Sequence, residues 1–323
     1  MPFLHPEYLV EPEWLAAHLA DPLVRVLDVT AKLTATFDNR AAADCFGVAH
    51  IPGSRFLDVG AGRGEFHDPD AALPWTWPSP ERFAALMGSL GVDNDTHVVL
   101  VAATPRPGVD AGTMWCTRAW WTMHHFGVRS SILWGGLERW QAEGWPLTAS
   151  PAASAPLSTF VVPDGWQRGR ADRYDVQAAL QAGNACVLDS LSAASFRGDA
   201  PGYGPRAGHI TGAEHLSATA LIEAETAGFL PADALKAQLD ELGLLQQERV
   251  VTYCGGAIAA TVTAFVLALF GQDNVAVYDA SLMEWAADET LPMTSLPTTI
   301  MLPTTNTLPT LPTLPTSAEW TQS

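Results

Sequence analysis

Two degenerate copies of one pattern run through this 323-residue chain, and the repeat limits its fold more than any single motif does. The first copy reads VRVLDV at 24–29 and AHIPGSRFLDV at 49–59; the second reads ACVLDS at 185–190 and GHITGAEHL at 208–216. Asp28 thereby matches Asp189, and His50 matches His209. Further on, HVVLVA at 97–102 matches RVVTYC at 249–254, and Gly127, Trp140 and Pro146 meet Gly271, Trp285 and Pro292 in the same order. The chain therefore divides into residues 1–150 and 171–295, joined by a linker at 151–170 whose start, TASPAASAPLST, is rich in small residues and proline. The length suits two domains of about 150 residues.

Each copy alternates short β-branched runs with longer helical patterns. The runs fall at 24–28, 97–102 and 130–134, then at 185–189, 249–253 and 275–279. Such alternation implies right-handed crossovers and a mostly parallel sheet with helices on both faces, an α/β fold made twice. After Met293 the pattern stops. Leu-Pro-Thr begins at Leu296, Leu302, Leu308, Leu311 and Leu314, and repeated proline predicts an extended, disordered tail over 296–323.

Charge and cysteine usage exclude several partners. With 35 acidic and 17 basic side chains, the net charge of −18 argues against nucleic acid and against an anionic membrane surface. Cys45, Cys116, Cys186 and Cys254 form no CxxC pair, so neither a metal site, a cofactor nor a disulfide framework is expected. The start, MPFLHPEYLVEPEW, lacks a basic and an apolar signal-peptide region, and a cytoplasmic, reducing location is the expectation.

The chemistry converges on Cys254, which ends a predicted strand and opens CGGAIAA. Gly255, Gly256, Ala257, Ile258 and Ala259 form a loop leading into a helix over about 259–270. Small residues let successive N–H groups turn toward the sulfur, and the helix N-terminus adds its positive dipole end. This setting predicts a lowered thiol pKa and a stabilised anionic sulfur. Cys186 in a strand, Cys116 in a Trp-rich helix and Cys45 in a loop are read as packing. His50 and His209 are read as turn-stabilising groups, Asp28 and Asp189 as groups that fix the turns after matched strands. A cysteine phosphatase is rejected because Cys-x5-Arg would need arginine at Ala260, and no basic residue follows Cys254 at all.

The two-copy plan, the HIPG turn with its GHITG counterpart, WGGLERWQAEGWPL and the cysteine loop resemble a tandem-domain rhodanese of the thiosulfate/3-mercaptopyruvate sulfurtransferase type. The resemblance covers about 8–293 and implies two rhodanese-like domains, the first catalytically silent. In agreement, Ala102 stands where Cys254 stands in the second copy. It implies a small anionic donor, a Cys254 persulfide, and a thiol, cyanide or reduced carrier-protein acceptor. It also implies donor-binding arginines in the second domain. The position of the first is Ser195, leaving Arg197 and Arg206 as candidates. The loop serine of the 3-mercaptopyruvate enzymes is Gly256 here; Asp58 remains of the residues expected to work with it, while the histidine position falls on Ala71, with His67 nearby. These departures leave a second reading, a low-turnover sulfur-carrier or binding module that keeps the fold.

Overall fold

The β-branched runs become the inner strands of two separate five-stranded sheets in the computed structural model, which describes residues 2–107, 112–150, 157–165, 169–223, 226 and 228–296. In the first copy β1 (Leu9–Val10), β2 (Val24–Asp28), β3 (Arg55–Phe56), β4 (His97–Val101) and β5 (Ser130–Leu133) lie in the order β1-β5-β4-β2-β3. In the second, β6 (Arg170–Ala171), β7 (Ala185–Asp189), β9 (Glu214–His215), β10 (Arg249–Tyr253) and β11 (Val275–Tyr278) lie in the order β6-β11-β10-β7-β9. There, β8 (His209–Ile210) and β12 (Met293–Thr294) form a separate antiparallel pair. Every pairing within the two five-stranded sheets is parallel. Registers agree as well: Asp28 faces Val101 as Asp189 faces Tyr253.

Parallel strands require crossovers, and nine helices flank the sheets among the described residues: α1 (Pro12–His18), α2 (Pro80–Ser89), α3 (Gly112–His125), α4 (Gly136–Ala142), α5 (Arg173–Gln181), α6 (Ala193–Arg197), α7 (Ala232–Glu241), α8 (Ala259–Leu269) and α9 (Ser281–Trp285). Every residue of β4 is buried, as expected for a central strand covered on both faces. The helix after each matched strand sits at the domain interface: α3 packs against α8, with Thr117 and Thr261 hydroxyls 2.9 Å apart. Enclosure between α3 and its own sheet explains why α8 is apolar nearly all round.

The repeat extends to single hydrogen bonds. His50 Nδ1 donates to the Phe46 carbonyl (2.7 Å) while stacking on its ring; His209 Nδ1 does the same with Phe196 (2.6 Å). Trp140 Nε1 donates to Pro146 O and Trp285 Nε1 to Pro292 O, at 2.9 and 3.0 Å. Both histidines are turn-stabilising groups, as expected. Asp28 accepts from Thr30 N, and Asp189 from Leu191 N, which fixes the turn after each strand.

Two local readings change. Cys45 lies in a π-helical turn, Ala42–Phe46, rather than in a loop, because that turn delivers the Phe46 carbonyl and ring to His50. Part of the connector is also held against the first domain: Ser158 N donates to Gly88 O, Val161 exchanges two hydrogen bonds with Asn94, and Phe160 is buried beside Phe83. Of the predicted tail only Leu296 is described; the rest lies outside the described residues.

Candidate active site at the Cys254 loop

Cys254 immediately follows β10, at the carboxyl edge of the second sheet, where parallel α/β sheets place their ligands. Its loop turns through Ala257, which adopts φ +58° and so reverses the chain before α8 begins at Ala259. A second loop holds it in place. Ser281 Oγ accepts from both Cys254 N and Ala257 N at 3.2 Å and donates to Tyr278 O at 2.7 Å. Leu282 N and Met283 N donate to the carbonyls of Cys254 and Gly255. Ser281 itself is left-handed, φ +50°, an uncommon state for a residue with a Cβ that its three hydrogen bonds and full burial sustain.

Cys254 is only 2% exposed. Tyr203 covers Gly255 so closely that a Cβ there would lie 2.1 Å from its ring, and Trp75 of the first domain packs on Gly256. Burial pushes the Cys254 thiol up, against the backbone N–H groups of Ala260, Gly256 and Ile258, while the charge of Asp189 adds to the rise. The loop N–H groups favour the thiolate, but the expected lowering of the thiol pKa is not found. Tertiary cover outweighs the loop.

A cation meets this loop from the other domain. Arg118, on α3 and 1% exposed, donates from Nη1 to the Ala257 carbonyl at 3.2 Å and from Nη2 to the Trp75 carbonyl. Its Nη1 lies 3.5 Å from Asp279 Oδ1, and Arg170 Nη2 lies 3.0 Å from Asp279 Oδ2. Both guanidiniums also approach the Trp77 ring, whose backbone N–H donates to Asp279. Burial draws the Arg118 pKa down, while Asp279 and Cys254 oppose it.

Comparison with known proteins decides the family. The rhodanese-like domain pattern matches residues 172–288. The chain is 32% identical over 291 residues to the 3-mercaptopyruvate sulfurtransferase of Escherichia coli, covering 88% of this chain and 97% of that protein. The chain belongs to the rhodanese-fold sulfurtransferase family. It is also 32% identical to the sulfur carrier protein TtuD of Thermus thermophilus, over 88% of this chain and 95% of that one. Among solved structures, the rhodanese-fold SseA of Escherichia coli aligns with a TM-score of 0.72 at 29% identity, covering 85% of this chain and 98% of that one. The Tum1 protein of Saccharomyces cerevisiae shares the fold, with a TM-score of 0.74 at 20% identity, over 89% of this chain and 98% of that one. The chain thus carries two rhodanese domains in tandem.

In this member of the family the two arginines singled out from sequence are engaged elsewhere. Arg206 donates to four backbone carbonyls, of Ala286, Leu291, Trp285 and Asp288, at 2.5–3.0 Å. That arrangement staples the chain after α9 and leaves the guanidinium little capacity for an anion. Arg197 pairs with Asp199 at 2.8 Å and is 43% exposed. Asp58 accepts from Asn39, Gly60 N and Ala61 N and so shapes its own turn. His67 is buried, accepts from Arg63 at 3.1 Å, and is held below its ordinary pKa by burial and by Arg63. Ala71 lines a cleft of about 830 Å³ between the domains, together with Trp77, Arg170 and Asp279.

Sequence reasoning missed Arg118, Ser281, Trp75 and Tyr203. Arg118 had one visible signal, a lone cation within the Trp-rich MWCTRAWWTM segment, where burial demands partners. Ser281 could have been found as the residue matching Gly136 of the first copy. Among the described residues no helix is long and apolar enough to cross a membrane, and no cluster of three His, Cys, Asp or Glu could hold a metal ion.

Proposed function

We propose that this chain moves a sulfane sulfur from a small anionic donor, 3-mercaptopyruvate or thiosulfate, through a persulfide on Cys254. The single observation that carries the reading is the placement of Cys254 at a strand's carboxyl edge, opening a small-residue loop that Ser281 pins at Cys254 N and Ala257 N and that runs into the N-terminus of α8. The relatives' names, 3-mercaptopyruvate sulfurtransferase among them, support the donor class.

The cycle has two displacements. The Cys254 thiolate attacks the donor's outer sulfur, forming one S–S bond. With thiosulfate the donor's S–S bond breaks and sulfite leaves; with 3-mercaptopyruvate the C–S bond breaks and the enolate of pyruvate leaves, taking a proton. A thiolate, cyanide or reduced carrier protein then attacks the outer sulfur, and the Cys254 thiolate returns. The N–H groups of Gly256, Ile258 and Ala260 hold the anionic sulfur between the steps. Cys254 is the catalytic residue, with Gly255 to Ala259 as its loop. No cofactor is required.

A second reading, a low-turnover sulfur carrier, is favoured by one observation: Arg206 is committed to carbonyls and Arg197 to Asp199, so neither is free to bind a small anionic donor. Steady-state assays with thiosulfate and 3-mercaptopyruvate, each against cyanide and a thiol, separate the two. Turnover with either donor, abolished in Cys254→Ser, supports the enzyme. Sulfur uptake from a persulfidated protein with negligible turnover of both small donors supports the carrier. Full turnover in Cys254→Ser overturns both.

A further inference from the structure

The second domain offers few cations for a site that must hold negative sulfur. Between 171 and 295 its basic residues are Arg173, Arg197, Arg206, Lys236 and Arg249. Each is committed: Arg173 to Glu284 and Asp288, Arg197 to Asp199, Lys236 to Asp240, Arg249 to Asp175, and Arg206 to its carbonyls. Behind the cysteine loop, however, two guanidiniums share one carboxylate. Arg118 and Arg170 both address Asp279, so the cluster holds one positive charge in excess, with Arg118 and Asp279 almost fully buried and Arg170 partly exposed at its edge. Asp279 lies nearer Arg170, at 3.0 Å, than Arg118, at 3.5 Å, so the buried Arg118 shares its counter-charge and favours a further anion close by. A thiolate or persulfide at Cys254 is such a charge.

We infer that Arg118 of the silent domain is a positioning residue for the sulfur chemistry of the other domain. It holds the left-handed Ala257 turn through the Ala257 carbonyl and supplies positive charge to an anionic sulfur on Cys254. The inference rests on the proposed Cys254 chemistry and gives the first domain a part in it. Arg118 bridges Trp75, which walls the site, and Ala257, which closes the cradle, so one side chain couples the two domains at the sulfur. The other ionisable groups facing the sulfur are Asp189 from the end of β7, Tyr203 from the loop before β8, and Tyr253 from β10. None of these is a cation, and the Asp189 carboxylate opposes an anion at Cys254.

The test is the pH profile of Cys254 alkylation by iodoacetamide, followed on the Cys254 peptide by mass spectrometry, in the full-length protein. Arg118→Gln keeps a donor for Ala257 but removes the charge. Its midpoint should rise by about one pH unit, which is about tenfold in thiolate at fixed pH. Arg118→Lys should bring the midpoint back toward wild type. Asp279→Asn, which makes the cluster more positive, should move it down. Opposite shifts for Arg118→Gln and Asp279→Asn support the inference, since a merely structural role would move both the same way. Coincident profiles, or shifts of one sign, overturn it. Should Arg118→Gln fail to fold, Asp279→Asn alone decides by its sign. Failure of donors to load wild-type Cys254 would overturn the proposed function instead, and leaves the alkylation result readable.

Discussion

The loops at Ala102 and at Cys254 are two versions of one device, and they differ in who supplies the negative charge. In both, the residue at the strand end has its carbonyl bonded by the next loop: Leu137 N donates to Ala102 O at 3.1 Å, and Leu282 N to Cys254 O at 3.0 Å. The residue before each leucine is left-handed, Gly136 at φ +62° and Ser281 at φ +50°. A Cβ on Gly136 would lie 2.7 Å from Ala102 O, so the first loop tolerates only glycine. In the first copy Thr104 N donates to the Glu138 carboxylate, whose counterpart position in the second copy holds Met283. The cavity there measures about 10 Å³, hardly the space of one water. The first copy has filled its own anion site. The second has no carboxylate at that position, and in the proposed function its loop N–H groups are left to sulfur.

That contrast can be broken from either side. The largest effect expected is at the nucleophile: Cys254→Ser should lose all sulfur loading from thiosulfate and 3-mercaptopyruvate, read as turnover. Conversely, Ala102→Cys should gain no loading, because the Glu138 carboxylate already takes the Thr104 N–H and puts a negative charge in that loop; loading at residue 102 would show that the two loops are equivalent. Next comes Arg206. Arg206→Ala removes donors from four carbonyls and should cost about 3 kcal/mol, seen as a lower denaturation midpoint, with donor saturation unchanged. A raised KM without lost stability would instead place Arg206 on the donor. Ser281→Ala keeps the Cβ but leaves two loop N–H groups without their acceptor, and sulfur loading should slow by about tenfold, about 1.4 kcal/mol. Because burial holds the Cys254 thiol above its ordinary value, its alkylation should be slow at pH 7 and climb beyond pH 9. A plateau below pH 8 would show that the loop, not the cover, sets the thiolate. The smallest effect belongs to Arg197→Ala, within about 0.5 kcal/mol in stability and without change in KM.

What could be read from sequence was what neighbouring residues decide. The strands at 24–28, 185–189 and 249–253 appear as anticipated, and α8 ends one residue before the expected boundary at 270. Paired landmarks such as Trp140 and Trp285 were legible because each bonds a proline a few residues on, within its own copy. The Cys254 loop was visible for the same reason. Arg118 was not, because its partners, Ala257 and Trp75, lie far along the chain and carry no periodic signal. Burial by Tyr203 and Trp75 also reversed the expected direction of the thiol pKa, a tertiary effect that loop composition does not encode. Arg206 was chosen for its charge near the GHITG turn, yet the fold uses the same guanidinium to fasten backbone after α9.

One reactive sulfur in two matched domains is the claim on which the rest depends. The most direct measurement is the intact mass of the protein after exposure to 3-mercaptopyruvate or thiosulfate without acceptor, with the added mass mapped to a peptide. The account predicts a gain of one sulfur atom per chain, confined to the Cys254 peptide and released by cyanide. Sulfur on Cys45, Cys116 or Cys186, or no gain with either donor, would contradict it.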